Sequence, residues 1–130
     1  MEKEITCTQL WRSWQFRHPK NPLIIEANSR MSKYTKTDWE NMVLDAKETI
    51  EEISNLIVNN IDINDPLSEK AALRLANHVS KYFFEFSKEY AVGIKFDINN
   101  SGDYFKFFNQ FHEGMAEKIV ELVDSYSDNF

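Results

Sequence analysis

Apolar residues recur at intervals of three and four along most of this chain, and little interrupts them: its 130 residues include three glycines and three prolines. Strictly alternating runs bounded by turn residues, which a sandwich or barrel requires, are absent. The sequence therefore predicts an all-α protein, and its length predicts one compact domain built as a bundle of about five helices. A domain of this size buries roughly two-thirds of its unfolded-chain surface, so it can hold its core without disulfides or a metal. Cys7 is the single cysteine, which points to a reducing, cytoplasmic setting.

Thr37-Asp38-Trp39-Glu40 has the form of a capping box, in which hydroxyl and carboxylate satisfy the free N–H groups of a helix start. Beyond it Trp39, Val43, Ala46, Ile50, Ile53, Ile57 and Ile61 make one apolar stripe along a helix from about 38 to 60. Asn59-Asn60 reads as its stop. Asp65-Pro66 is an N-cap with proline at the first helical position, and Leu67, Ala71, Leu75, His78, Val79 and Tyr82 carry that helix toward about 86. Ser87 then caps a shorter stripe through Tyr90, Ile94 and Ile98. Asn99-Asn100-Ser101-Gly102 is the clearest turn signal. A helix from Asp103, broken between His112 and Gly114, and a last helix from about 115 to 126 complete the set.

Residues 1–31 differ in character. Trp11, Trp14 and Phe16 are large apolar groups, while Pro19 and Pro22 prevent one long helix. This segment is expected to be an irregular arm packed on the bundle, or a lid that orders when something binds, over a helical ligand-binding domain at 32–130.

Charge and spacing exclude several functions. Fifteen Lys and Arg oppose 21 Asp and Glu, for a net charge of -6, and no basic run offsets this, so the chain is not expected to bind nucleic acid. No apolar stretch approaches a membrane span, and the N-terminus lacks the pattern of a signal peptide. None of the three histidines forms a Glu-x-x-His pair, and His112-Glu113 is followed by Ala116 where a zincin has its second histidine. GxSxG, P-loop and dinucleotide fingerprints are missing. These readings leave no catalytic residues, metal ligands or cofactor, and the chain is read as a non-enzyme.

What is present in excess is aromatic surface. Of 18 aromatic residues, nine fall in Tyr82-Phe83-Phe84-Glu85-Phe86 and Tyr104-Phe105-Lys106-Phe107-Phe108-Asn109-Gln110-Phe111. Successive helical residues are about 100° apart, so neither cluster can send all its rings into one core seam. The surplus is covered by neighbouring elements, lines a cleft for an apolar ligand, or forms a self-association surface.

Several segments resemble the TipAS-type antibiotic-recognition domain, the effector-binding half of TipA-like regulators in the MerR family. Ser32-Lys33-Tyr34-Thr35-Lys36-Thr37-Asp38-Trp39 resembles the S-Y-T-K-x-D-W opening of that family's first long helix, and Leu75, His78 and Tyr82-Phe83-Phe84 resemble its second. Asp103-Tyr104-Phe105 to Phe111, with Glu113-Gly114-Met115-Ala116, is similar to D-x-R-F…x-G-L-A, and Val123-Asp124-Ser125-Tyr126 to A-I-x-x-Y. The resemblance runs from Trp14 onward and implies a globin-like helical domain whose cleft takes bulky hydrophobic antibiotics such as thiopeptides, with part of the N-terminal arm ordering on the ligand. It also implies multidrug recognition and a role in transcription regulation.

Two departures shape what is expected. No winged helix precedes Trp14, which suggests a free-standing effector domain or a fragment of a regulator. The stretch Phe86 to Phe96 holds no cysteine, and Cys7 does not match the family's capture position, so uptake is expected to be non-covalent. The expected ligand residues are Tyr82, Phe83, Phe86, Tyr90, Tyr104, Phe107 and Phe111, with Trp11 and Trp14 as lid residues. The expected partner is a hydrophobic small molecule, with a homodimer or a separate DNA-binding protein as further partners. The rival reading is a protein–protein or self-association module using the same aromatic surface.

Overall fold

A computed structural model describes residues 20–88, 102–126 and 128, apart from the side chains of 102–105. Among these, five helices and no strands occur: α1 Pro22–Met31, α2 Lys36–Val58, α3 Pro66–Tyr82, α4 Gly102–Asn109 and α5 Met115–Tyr126. The stripe anticipated through Tyr90, Ile94 and Ile98 lies outside the described residues.

α1 occupies part of the segment expected to be irregular. Its start repeats the chemistry of α3: Asn21 caps as Asp65 does, each side chain accepting the N–H two residues on at 2.9 Å, and each is followed by proline. Proline there gives up an N–H that has no helical partner anyway. Ile24 and Ala27 then bury one face of α1 in the core.

α2 starts two residues earlier than its sequence suggests. Thr35 Oγ1 accepts from the Asp38 N–H at 3.2 Å, and the Thr35 N–H donates to Asp38 Oδ2 at 2.9 Å. Thr35–Asp38 and Thr37–Glu40 share the same spacing, so composition does not choose between them. At its other end, Asn60 takes the left-handed conformation (φ 50°) and the N–H groups of Asn60 and Ile61 return to the carbonyls of Ile57 and Leu56, a Schellman stop.

The expected stripe holds over the second half of α2, where Ile53 is buried and Ile50 and Ile57 pack on the core, as Ile61 does just past its end, but over the first half the buried face is rotated away from it. Met42, Thr49, Ile53 and Leu56 are buried, while Trp39 and Val43 are exposed, Val43 by 62%. Two neighbouring faces of this helix are apolar, and periodicity cannot rank them. What ranks them is the opposite flank, where Asp45, Glu48 and Glu52 reach Arg74 on α3. His78, one turn beyond Arg74 on α3, pairs back to Asp45, the earliest of the three on α2, so the two helices are antiparallel.

α3 is central. It packs on α1, α2 and α5, and α5 also contacts α2 and α4. Ala71, Ala72 and Ala76 let the neighbouring backbones come close to it, and Ile53, Leu56, Val79, Phe84, Met115, Ile119, Leu122 and Val123 fill the space between. Tyr126 closes the far end by donating its hydroxyl to the Ile63 carbonyl.

The break between α4 and α5 depends on Gly114, whose φ of +85° lies where side chains are strained. A Cβ there would meet no atom within 4 Å, so strain is the whole cost. Gly114→Ala is expected to lower stability by about 1–2 kcal/mol, read from urea unfolding. Asn109, the last residue of α4, caps α5 directly by accepting the Ala116 N–H on Oδ1 at 2.9 Å.

Candidate ligand site

The aromatic run after α3 is sorted by where that helix stops. α3 ends at Tyr82, and the N–H groups of Phe83 and Phe84 both return to the Val79 carbonyl, at 2.9 and 3.2 Å. The Phe86 N–H donates to Ser80 Oγ at 2.9 Å, which bends the chain back. Phe84 is 1% exposed and is core; Tyr82 and Phe86, at 7% each, are nearly so. Phe83 stays half-buried at the bend. The His78 ring lies 5.1 Å from the Tyr82 ring and 6.0 Å from that of Phe83.

The second cluster builds a short ladder. Phe107 meets Phe108 edge to face at 5.1 Å and Phe111 at 5.3 Å. Phe107 and Phe108 rest half-buried on the core, and Phe111, just beyond α4, is 48% exposed. The ladder thus has an anchored end and an open end, each ring fixed by its neighbour. Phe83 and Phe107 lean on the same core cluster. Of the other expected ligand residues, Trp11, Trp14, Tyr90 and the side chain of Tyr104 fall outside what is described.

A second feature, chemically opposite, lies along α3. An open groove of about 560 Å³ is lined by residues including Asp45, Lys70, Arg74, Asn77, His78 and Lys81. Arg74 sits 2.7 Å from Glu48, 3.3 Å from Glu52 and 3.6 Å from Asp45. Desolvation works against the guanidinium's charge, but hydrogen bonding to Glu48 and the fields of the three carboxylates outweigh it and raise its pKa above the ordinary arginine value. His78, 9% exposed, holds Asp45 Oδ2 through Nδ1 at 2.7 Å. The sequence signal for this network is Asp45, Glu48 and Glu52 along one edge of α2, opposed by Arg74 and His78 four apart on α3. It passes unnoticed without the register between the helices, and Glu48 and Glu52 then read as solvated surface.

In the groove Pro66 and Leu73 stand among charged side chains, of which Arg74, His78 and Asp45 are tied into one ion network, whereas the Phe107–Phe111 ladder offers exposed ring area to an apolar ligand. Among the described residues no group of three or more His, Cys, Asp or Glu side chains is placed to hold a metal ion. No helix among them is long and apolar enough to cross a membrane.

Two tyrosines tie distant parts of the chain together, one at each end of α3. Tyr34 donates to the Tyr82 carbonyl and Tyr126 to that of Ile63. Desolvation raises both phenols above the ordinary 10.0; at Tyr34 the positive Arg30 opposes this while Asp38 and Tyr82 add to it, and at Tyr126 Glu69, Asp62 and Asp65 add to it. A raised acid pKa means the folded state keeps the proton longer than the unfolded chain. The contribution is therefore complete below pH 10.0 and is lost as pH rises from there through the folded values. Urea midpoints followed from pH 10 upward are expected to fall more steeply in the wild type than in a Tyr34→Phe/Tyr126→Phe variant.

In comparisons with known proteins, the family model described as the TipAS antibiotic-recognition domain matches residues 15–126. No curated protein and no solved structure matches.

Proposed function

The chain belongs to the TipAS antibiotic-recognition family, and on that premise we propose that it binds a bulky hydrophobic antibiotic, of the thiopeptide class, non-covalently and without converting it. The observation that supports this reading is the half-exposed ladder of Phe107, Phe108 and Phe111 mounted on a packed core. Ring area already held in place loses little freedom on binding, so more of the burial energy, about 25 cal/mol per Å² of apolar surface, remains as affinity.

In this proposal Phe83, Phe107 and Phe111 supply the wall, and the buried Tyr82 and Phe86 support it from behind. Trp11, Trp14, Tyr90 and Tyr104 belong to the same proposed site on sequence grounds. Standing in the cytoplasm, the domain would sense or sequester a drug, and coupled to a DNA-binding partner it would report the drug to transcription.

Thermal unfolding against a thiopeptide panel tests this. A ligand present at about a hundred times its Kd stabilises the native state by about 2.7 kcal/mol, roughly 10 °C in Tm for a domain of this size. No shift with any member of the panel contradicts the reading.

One observation favours self-association, through a face of α2 and not through the aromatic clusters. Val43 and Leu44 on α2 are 62% and 55% exposed, and Trp39 beside them is exposed too, which is the kind of surface a second copy covers. Light scattering separates the two: a monomer that binds drug supports the ligand site, and a drug-insensitive dimer supports self-association.

A further inference from the structure

We propose that Arg30 and Tyr34 are positioning residues for the ligand site, closing the carboxyl end of α3 and so fixing where the Phe83 ring stands. This rests on the antibiotic-binding reading for its function, though not for its geometry.

A helix leaves its last four carbonyls without partners in the helix itself. At the end of α3 these needs are met from two sources. The Val79 carbonyl accepts locally, from the N–H groups of Phe83 and Phe84. The Ser80 and Tyr82 carbonyls instead take donors from some fifty residues earlier in the chain: Arg30 Nη1 reaches Ser80 O at 2.7 Å, and the Tyr34 hydroxyl reaches Tyr82 O. A guanidinium at a helix carboxyl terminus is also favoured by the helix dipole, and its charge strengthens the hydrogen bond.

The donors stand on fixed supports. Arg30 is held by Glu26 one turn earlier on α1, at 3.1 Å, and α1 is itself anchored through Ile24 and Ala27. Tyr34 packs edge to face on Trp39, ring centroids 5.5 Å apart. The acceptors bracket the bend: Ser80 takes Arg30 on its carbonyl and the Phe86 N–H on its hydroxyl, and Tyr82 immediately precedes Phe83. Loosening either donor therefore frees the stretch from 83 to 86 while leaving α5, which takes part in neither bond and packs on α2, α3 and α4, in place. The Tyr34–Trp39 contact makes Trp39 a reporter of the same joint.

The test uses Tyr34→Phe, which removes one hydroxyl, together with Arg30→Ala and the conservative Arg30→Lys. In ligand-free protein, amide exchange at Phe83, Phe84 and Phe86 is expected to accelerate about tenfold in Tyr34→Phe and Arg30→Ala, while that of Ile119 to Val123 stays at the wild-type rate. Affinity for a thiopeptide that the wild type binds is expected to fall about tenfold in both, with Arg30→Lys restoring most of it. In ligand-free Trp11→Phe/Trp14→Phe protein, which leaves Trp39 as the one tryptophan, emission is expected to shift when Tyr34→Phe releases the ring packed on Trp39.

Exchange at 83–86 left at the wild-type rate overturns the clamp, and so does faster exchange with unaltered affinity. Uniform acceleration across α5 overturns it as well, since that marks general destabilisation. A wild type that binds no thiopeptide counts against the antibiotic-binding reading, and the exchange measurement still decides the clamp.

Discussion

Phe84→Ala is expected to lower the unfolding free energy by about 3–5 kcal/mol, the largest single effect among the described side chains. Phe84 is 1% exposed, and it enters the core because α3 stops at Tyr82 and the chain bends back. Removing the ring takes away its burial energy and leaves a cavity in the core cluster it shares with Val79 and Ile119, which close-packed helices refill only in part. Small domains have about 5–15 kcal/mol in all, so roughly a fifth or more of the stability goes with this one side chain. Urea unfolding should show a lower midpoint with an unchanged slope. A loss below about 1 kcal/mol would place Phe84 outside the core.

Phe111→Ala is expected to do the opposite. This ring is 48% exposed and touches the domain through its edge-to-face contact with Phe107, a contact worth about 1 kcal/mol. Stability therefore changes little. Thiopeptide affinity is expected to fall about 30-fold or more, as for aromatic anchors whose truncation costs about 2 kcal/mol or above. Phe107→Ala should lower both, because that ring serves the core and the ladder at once. Calorimetric titration beside urea unfolding separates the two quantities. Equal affinity in wild type and Phe111→Ala would remove the ladder from the site.

This contrast between two phenylalanines marks what the sequence does and does not disclose. That the aromatic clusters exceed one core seam follows from helical geometry alone, and Phe84 and Phe111 are indeed on different sides of that division. Which ring goes where depends on the end of α3, and continuing the periodicity past Tyr82 assigns the rings as if the helix ran on. At the stop the Ser80 and Tyr82 carbonyls accept from Arg30 and Tyr34, far along the chain, and no local window contains those donors.

Local chemistry was more legible. Asp65-Pro66, the Asn59-Asn60 stop and the break at Gly114 each follow from a backbone requirement that few residue types meet. The same logic applies to Asn21-Pro22, yet neighbouring tryptophans and Pro19 made that region read as irregular. The rotation of α2 and the Asp45–Arg74–His78 network were illegible for one shared reason. Each depends on the register between α2 and α3, and only the folded packing fixes it.

The central claim is that the drug is taken by the aromatic surface and not by the ion-paired groove along α3. Backbone amide NMR during titration with a thiopeptide measures this most directly. The account predicts that the shifts concentrate at Phe83–Phe86 and Phe107–Phe111, with Asp45, Arg74 and Asn77 nearly unmoved. Shifts centred on Asp45, Arg74 and Asn77, with the phenylalanine amides unchanged at saturation, would contradict it.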